Sequence, residues 1–279
     1  MTTIDAHHHF WDPQRGDYGW LTPDLAHLYR SFGPADLAPE LDACGVLGTV
    51  VVQAAATEAE CDYLLGIAAR TRWVFGVVGW LDLRSRSAPE RIASRAGLPK
   101  FVGVRPMLQD EADIAWITSP GTAPAFRALA EHGLAFDALI RVPQAAHVAA
   151  LAARNPDLKI VIDHGAKPDI AGAERTRWAA AMRELARHPN VHCKYSGLLT
   201  EAGTGAGAGD LRFYAQMLLD LYGPSRLIWG SDWPVVLGAS SYRAWIGMAR
   251  DLMSEAPPES REAIMGGNAV SFYGLRPDE

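Results

Sequence analysis

Two histidines near the amino terminus and one aspartate near the carboxyl terminus have the types and spacing that metal or acid–base chemistry requires. His7 and His9 lie two residues apart, so on a β-strand both rings point to the same face, while His8 points away and is interpreted as structural. Asp232 follows the apolar residues 227–229 in the segment GSDWP. If the first and last strands are neighbours, two imidazoles and a carboxylate meet at one mouth and can form a metal site or an acid–base site.

A further histidine ends another apolar run. Residues 158–163 lead into His164, which precedes a turn containing glycine and proline. This pattern predicts that His164 is a third ligand or a hydrogen-bond donor to a substrate carbonyl; the alternative is a cap on the following loop. Asp163 and Lys167 are expected to pair with each other. Asp232 is the candidate general base, and its alternative role is an ordinary helix N-cap.

Other polar and aromatic residues stand at or just after predicted strand ends, where substrate contacts would lie. An arginine there can make fork-like hydrogen bonds to a carboxylate or to vicinal hydroxyls, and tryptophans offer flat apolar walls to a sugar-like ring. Taken singly each indication is weak, because polar residues at strand ends often cap loops and aromatic residues usually belong to the core. The predicted substrate contacts are Trp11, Gln53, Trp80, Asp82, Arg105, Gln109, Lys194 and Trp233.

The elements that must position these residues recur regularly along the chain. Short apolar runs, mostly apolar throughout as in parallel strands buried on both faces, alternate with helix-like stretches at 58–70, 143–154 and 175–187. This alternation predicts a single-domain α/β fold, a (β/α)8 TIM barrel over residues 1–279. A doubly wound open sheet is the alternative, but no GxGxxG follows an early strand. The eight predicted strands are 2–6, 48–53, 74–80, 101–105, 134–140, 158–163, 191–195 and 226–230.

Composition limits the classes of function. The 279 residues are 49% hydrophobic, which is enough for a large core, and the net charge of −6 comes without a basic stripe, which argues against a nucleic-acid partner. No segment has the length and apolarity of a membrane span, and the three cysteines lack CxxC spacing, as expected of free thiols in a reducing compartment. We therefore expect a cytoplasmic protein with a small-molecule substrate, and a homo-oligomer is compatible with the sequence. The glycine-rich residues 202–209 would lie at the barrel mouth, as a mobile lid or a plain connection.

The assembled motifs resemble the amidohydrolase superfamily, and most closely its lactonase branch. The resemblance covers nearly the whole chain. Its first and last pieces mark the superfamily broadly, and the central pieces are more specific to the lactonases. The matching segments are IDAHHHFW at 4–11, VGWLDL at 78–83, GVR at 103–105, LQDE at 108–111, DHGAKP at 163–168, CKYSGL at 193–198 and GSDWP at 230–234.

The resemblance implies hydrolysis of an aldonolactone, such as L-fucono- or L-rhamnonolactone, at the carboxyl ends of the barrel strands. It implies one divalent metal ion, Zn²⁺ or Mn²⁺, held by His7 and His9 with Asp232; a metal-independent site is the alternative. No lysine is placed to bridge two metals, which favours a mononuclear site. One departure is that Gly165 and Ala166 stand in the reverse of the order usual in the family.

The same site leaves other functions open. A dicarboxylate lactone could be the substrate if Arg105 binds a carboxylate, and a metal-dependent decarboxylase could use the same barrel site. A metal- or sugar-binding protein that has lost catalysis is the non-enzymatic alternative, which the intact set of histidines and aspartate opposes.

Overall fold

All eight predicted strands form, and they make one parallel sheet in a computed structural model that describes residues 2–277. Their order in the sheet is their order in the chain, and helices follow them on the outside. The predicted (β/α)8 barrel is thereby confirmed. The strands are β1 (Thr3–His8), β2 (Val46–Val52), β3 (Val74–Gly79), β4 (Phe101–Val104), β5 (Ala135–Ala138), β6 (Ile160–Ile162), β7 (Val191–Tyr195) and β8 (Leu227–Trp229).

The helices begin with the residue types that favour helix starts. A proline stands in the first turn of several of them, where the missing N–H costs little, and the Thr57 hydroxyl caps the helix that follows β2. The helices are α1 (Pro34–Cys44), α2 (Glu58–Ala68), α3 (Ala88–Ala96), α4 (Ala123–Glu131), α5 (Ala145–Arg154), α6 (Thr176–Ala186), α7 (Leu198–Ala202), α8 (Ala208–Tyr222), α9 (Tyr242–Leu252), α10 (Pro258–Glu262) and α11 (Asn268–Tyr273), with a π-helical turn at Ala263–Gly267.

Apolar packing occurs on both sides of the sheet. The larger cluster of buried side chains lies between the strands and the surrounding helices. The smaller one fills the lower barrel interior, where strand residues such as Ile4 and Val161 pack with Phe272 and Tyr273 of α11 and with Leu275. The carboxyl-terminal helix therefore closes the barrel from the end opposite the strand termini that carry the predicted site.

The barrel closes where the end of β8 meets β1. Asp232 N–H donates to the His7 carbonyl and His9 N–H donates to the Trp233 carbonyl, both at 2.7 Å. Gly230 permits this approach, because a Cβ there would stand 2.7 Å from the His7 Cβ. These contacts bring the predicted histidines and aspartate together, and we call them the seam.

Asp5 is expected to stabilise the seam. Its buried carboxylate accepts hydrogen bonds from Ser231 N–H at 2.8 Å, His7 N–H at 3.2 Å and the Tyr242 hydroxyl at 3.1 Å. Asp5→Ala leaves these donors without a partner and should lower the free energy of unfolding by about 2–3 kcal/mol, measured by urea denaturation. Asp5→Asn is the control, because the amide oxygen still accepts and burial already raises the pKa of Asp5 to about 6. Equal losses in the two variants would contradict this role.

Two other expectations concern the surface and the mouth. Among residues 2–277, the helices are all too short or too polar to cross a membrane. The glycine-rich residues 202–209 run from the end of α7 to the start of α8, and the Thr204 hydroxyl donates to the Gly238 carbonyl at 3.4 Å.

Candidate active site

The seam places His7, His9 and Asp232 at the mouth of the barrel. One ligand atom from each lies within 4.8 Å of the others. His9 Nε2 stands 3.4 Å from Asp232 Oδ1, and His7 Nε2 stands 3.8 Å from the same oxygen. Burial is the main cause that lowers the pKa of both histidines, so both rings are neutral at neutral pH.

The hydrogen bonding of His9 fits a metal ligand. Its Nδ1 lies 2.8 Å from the Val52 carbonyl, which can only accept, so Nδ1 carries the proton. Nε2 then presents a lone pair to Asp232 Oδ1. Two acceptors that face each other repel unless a cation or a proton lies between them. An outer hydrogen bond to a backbone carbonyl is the usual partner of a ligating histidine. Two imidazoles and one carboxylate suit Zn²⁺.

His164 joins this cluster from the end of β6. Its Nε2 is 3.6 Å from Asp232 Oδ1, its Nδ1 is 2.9 Å from the Ser196 hydroxyl, and its ring centroid is 4.4 Å from that of His7. Burial lowers its pKa to about 4. His164 therefore stands as a neutral imidazole beside the carboxylate at neutral pH.

Asp232 is ionised in this setting. Burial alone would raise its pKa, but His164 and His9 outweigh that effect, and the pKa lies below the ordinary value. Its carboxylate oxygen faces three imidazoles and the cavity above them. This arrangement gives a carboxylate that can accept a proton from a water molecule in the cavity.

Left-handed backbone at two places shapes the cluster. Asp232 has φ of 58°, and residues 164–167 have φ between 49° and 60°. Gly165 and Ala166 both lie in this region, at 56° and 60°, so one glycine relieves backbone strain whichever of the two positions it occupies. The reversed order relative to the family pattern therefore keeps the same turn.

Lys194 lies beneath the cluster, away from the cavity that a substrate would enter. It is fully buried, with Nζ 2.5 Å from Asp137 Oδ2, 3.0 Å from Asp163 Oδ1 and 3.0 Å from His7 Nδ1. The Tyr273 hydroxyl of α11 donates to the same Asp137 oxygen at 2.8 Å. The predicted substrate contact at Lys194 is thus replaced by a buried ion-pair network that runs along the barrel axis.

Asp163 belongs to this network and does not pair with Lys167. Burial alone would raise its pKa, but Lys194 and His7 hold it well below the ordinary value. Lys167 instead faces Glu201 of α7 at 3.8 Å. The expected pairing fails because the left-handed turn points the two side chains to different levels of the barrel.

Arg105 and Gln53 form a linked pair at the wall of the site. Arg105 Nη2 donates to Gln53 Oε1 at 2.9 Å, and Gln53 Nε2 donates to the Arg105 carbonyl at 3.0 Å. Arg105 Nη1 also donates to Asp163 Oδ2 at 3.3 Å and lies 3.2 Å from His7 Nε2. Gln53 is fully buried, so it supports Arg105, which alone of the two reaches the cavity.

A cavity of about 310 Å³ opens above the cluster. It exposes five of the predicted residues: His9, Arg105, Gln109, His164 and Asp232. The cavity is also lined by residues that the sequence did not single out as contacts, namely Trp20, Ala54, Met107, Asp110, Leu139, Lys167 and Val235.

The three predicted tryptophans do not line this cavity. Trp11 is buried, with its indole N–H donating to the Leu28 and Arg30 carbonyls. Trp233 is buried against Phe10 and Phe32 in edge-on contacts, and Trp80 is half-buried outside the cavity lining.

Asp82 also lies outside the cavity, where its carboxylate is exposed and accepts from Arg84 N–H at 3.0 Å as a turn cap. His8, interpreted as structural, faces outward from the barrel and its Nε2 lies 2.8 Å from the Thr49 hydroxyl.

Comparison with known proteins agrees with this architecture. The family model described as amidohydrolase matches residues 4–275. The chain belongs to the amidohydrolase family. The superfamily predicted from the motifs is confirmed, and the curated relatives below carry lactonase names, as the predicted branch implies.

An L-fucono-1,5-lactonase of Burkholderia ambifaria is 48% identical over 98% of this chain and 95% of that protein. An L-fucono-1,5-lactonase of Burkholderia multivorans is 39% identical over 98% of this chain and 96% of that protein. A crystal structure of an amidohydrolase from Burkholderia multivorans with bound zinc superposes with a TM-score of 0.93 at 38% identity, covering 99% of this chain and 100% of that one.

Proposed function

We propose that this amidohydrolase is an enzyme that hydrolyses a sugar lactone, and specifically an aldono-1,5-lactone such as L-fucono-1,5-lactone. The observation that carries the proposal is the meeting of His7, His9, His164 and Asp232 beneath one cavity of about 310 Å³. The names and nearly full-length similarity of the two lactonase relatives support the choice of substrate.

A divalent metal ion fits the donor set, and the zinc-bound relative supports its presence. His7, His9 and Asp232 would hold it. When bound, such an ion polarises a carbonyl or acidifies water.

In the proposed reaction Asp232 acts as the general base. Its ionised carboxylate accepts a proton from water, whose oxygen bonds to the lactone carbonyl carbon. The acyl–oxygen bond of the ring then breaks, and the proton passes from Asp232 to the departing ring oxygen. The product is the open hydroxy acid, and the base is regenerated for the next turnover.

The residues beside Asp232 orient the lactone. They also stabilise the negative charge that develops on its carbonyl oxygen. Arg105 lines the cavity as a fixed positive charge whose N–H groups are held by Gln53, Asp163 and His7, and His164 lies next to the base. A fixed charge and a fixed donor of this kind stabilise a developing oxyanion without reorganising during the reaction. Gln109 stands at the cavity wall within reach of ring hydroxyls.

The cavity opposes the alternative of a dicarboxylate lactone. Among the described residues that line it, the two cations already face carboxylates: Arg105 faces Asp163 at 3.3 Å and Lys167 faces Glu201 at 3.8 Å. A substrate with further carboxylates would find its cationic partners engaged.

The proposal is tested with a panel of aldonolactones, scored by proton release, using metal-stripped and Zn²⁺- or Mn²⁺-reloaded protein. We expect turnover of at least one lactone, a loss of about tenfold or more on stripping, and recovery on reloading. Isothermal titration of stripped protein with Zn²⁺ should show one site, which His9→Ala weakens. No turnover in any metal state would overturn the proposed function. Turnover that is indifferent to metal would overturn only the ligand assignment.

A further inference from the structure

Trp20 differs from the tryptophans that the sequence singled out. It lies in the loop between β1 and α1, lines the cavity and leaves 37% of its surface exposed. Trp11 and Trp233, by contrast, are at most 3% exposed. Trp20 is therefore a large aromatic ring that faces the space above the catalytic cluster.

The indole of Trp20 is fixed in its orientation. Its N–H donates to the Ala54 carbonyl at 2.7 Å, and its ring packs edge-on against Trp11 with the centroids 5.2 Å apart. Because the N–H already has a partner, Trp20 has no donor to offer a sugar hydroxyl. The surface that it presents to the cavity is apolar.

The partner of the indole is itself held in place by α2. Glu60 is fully buried, and its carboxylate accepts from Ala54 N–H at 2.9 and 3.0 Å and from Ala55 N–H at 2.8 Å. Ala54 thus links Glu60 on one side to Trp20 on the other. The aromatic wall is tied to the barrel scaffold although it stands on an irregular loop.

Further apolar side chains share the cavity with Trp20. Ala54, Met107, Leu139 and Val235 line it, and the polar lining residues are His9, Arg105, Gln109, Asp110, His164, Lys167 and Asp232. A sugar lactone also has polar and apolar parts, with a carbonyl and hydroxyls at its edges and C–H groups on its ring faces. With the carbonyl at Asp232 and His164 and ring hydroxyls at Gln109, a ring face is left for this apolar lining.

We propose that Trp20 is a specificity-determining residue that covers the apolar face of the lactone ring and favours a 6-deoxy sugar. This inference rests on the proposed lactonase function. It assigns the substrate preference of the enzyme to one side chain. The methyl group of a 6-deoxy sugar packs on the indole, whereas a hydroxyl at that carbon meets a surface without a free donor. An apolar pocket discriminates against an added hydroxyl by up to about 100-fold.

The test compares L-fuconolactone with L-galactonolactone, which differ by the hydroxyl on C6. We expect the wild-type protein to prefer the deoxy lactone by about tenfold or more in kcat/KM. In Trp20→Ala this preference should fall towards one, through a rise of about tenfold in KM for L-fuconolactone with kcat little changed. Trp20→Phe keeps an aromatic face and should retain part of the preference.

Tyr29→Ala is the matched control, because Tyr29 is an aromatic residue of the same loop, is 43% exposed and lies outside the cavity lining. The Tyr29→Ala variant should prefer L-fuconolactone over L-galactonolactone in kcat/KM as strongly as the wild-type protein does. If the wild type hydrolyses both lactones and both Trp20 variants keep its preference, the role of Trp20 is overturned. If the wild type hydrolyses neither, the proposed function itself has failed.

Discussion

Asp232→Asn is expected to reduce kcat for lactone hydrolysis by about 10²–10⁴-fold while leaving the fold intact. The amide cannot accept the proton of the attacking water, and it is close in size to the carboxylate. Asparagine also tolerates the left-handed backbone at this position, where φ is 58°. The rate is measured by proton release, and near-UV circular dichroism and thermal unfolding check the fold.

Asp82→Asn is the matched control for this variant. Asp82 lies outside the cavity, where its exposed carboxylate accepts from Arg84 N–H at 3.0 Å, and an amide oxygen can accept the same hydrogen bond. Its kcat should stay within about twofold of the wild type, as for a substitution outside the reacting centre. Near-wild-type turnover in Asp232→Asn would show that another group takes the proton.

Lys194→Met is expected to lower the free energy of unfolding by about 3–5 kcal/mol, the usual cost of removing one partner from a buried ion pair. The ammonium group lies between Asp137 and Asp163, and all three side chains are fully buried. Methionine fills a similar volume but leaves Asp137 without a cation and Asp163 with Arg105 alone. Urea denaturation followed by circular dichroism measures the change.

The double variant Lys194→Met/Asp137→Asn separates charge from packing. The amide introduced at position 137 can still accept from the Tyr273 hydroxyl, and Arg105 still faces Asp163. We expect the double variant to be more stable than Lys194→Met alone, which gives a coupling energy in the double-mutant cycle. Strictly additive effects would mean that the lysine and Asp137 do not stabilise each other.

The strands were predictable because buried parallel strands are apolar throughout and differ in pattern from the helices between them. The meeting of His7, His9, His164 and Asp232 followed from one rule, that the carboxyl ends of barrel strands share a mouth. Strand ends differed from the prediction by up to two residues in both directions: β1 and β2 extend beyond their predicted apolar runs, whereas β5 and β6 are shorter than theirs.

The side-chain directions beyond the strand ends were not predictable in the same way. Trp11 and Trp233 are neighbours of site residues in sequence, yet their rings turn into the core because the chain leaves the regular strand geometry there. Trp20 stands in an irregular loop that has no periodicity to reveal which way it faces. An aromatic residue in the loop after the first strand was the only available signal.

The sequence also did not show how far below the barrel mouth a polar side chain lies. Lys194 lies within β7, beside Ile228 of β8, and so points inward below the mouth. A polar residue near a strand end can reach either the cavity or the layer beneath it, and only the register between neighbouring strands decides between them.

The seam gives the protein a property that concerns its synthesis. His7 lies in the first of the eight strands, whereas its partner Asp232 follows the last of them. A nascent chain therefore carries no complete site until the segment through Trp233 has left the ribosome and joined the first strand. Under the proposed function, hydrolytic activity reports that the whole ring has closed, because chains terminated before β8 lack Asp232, the proposed general base.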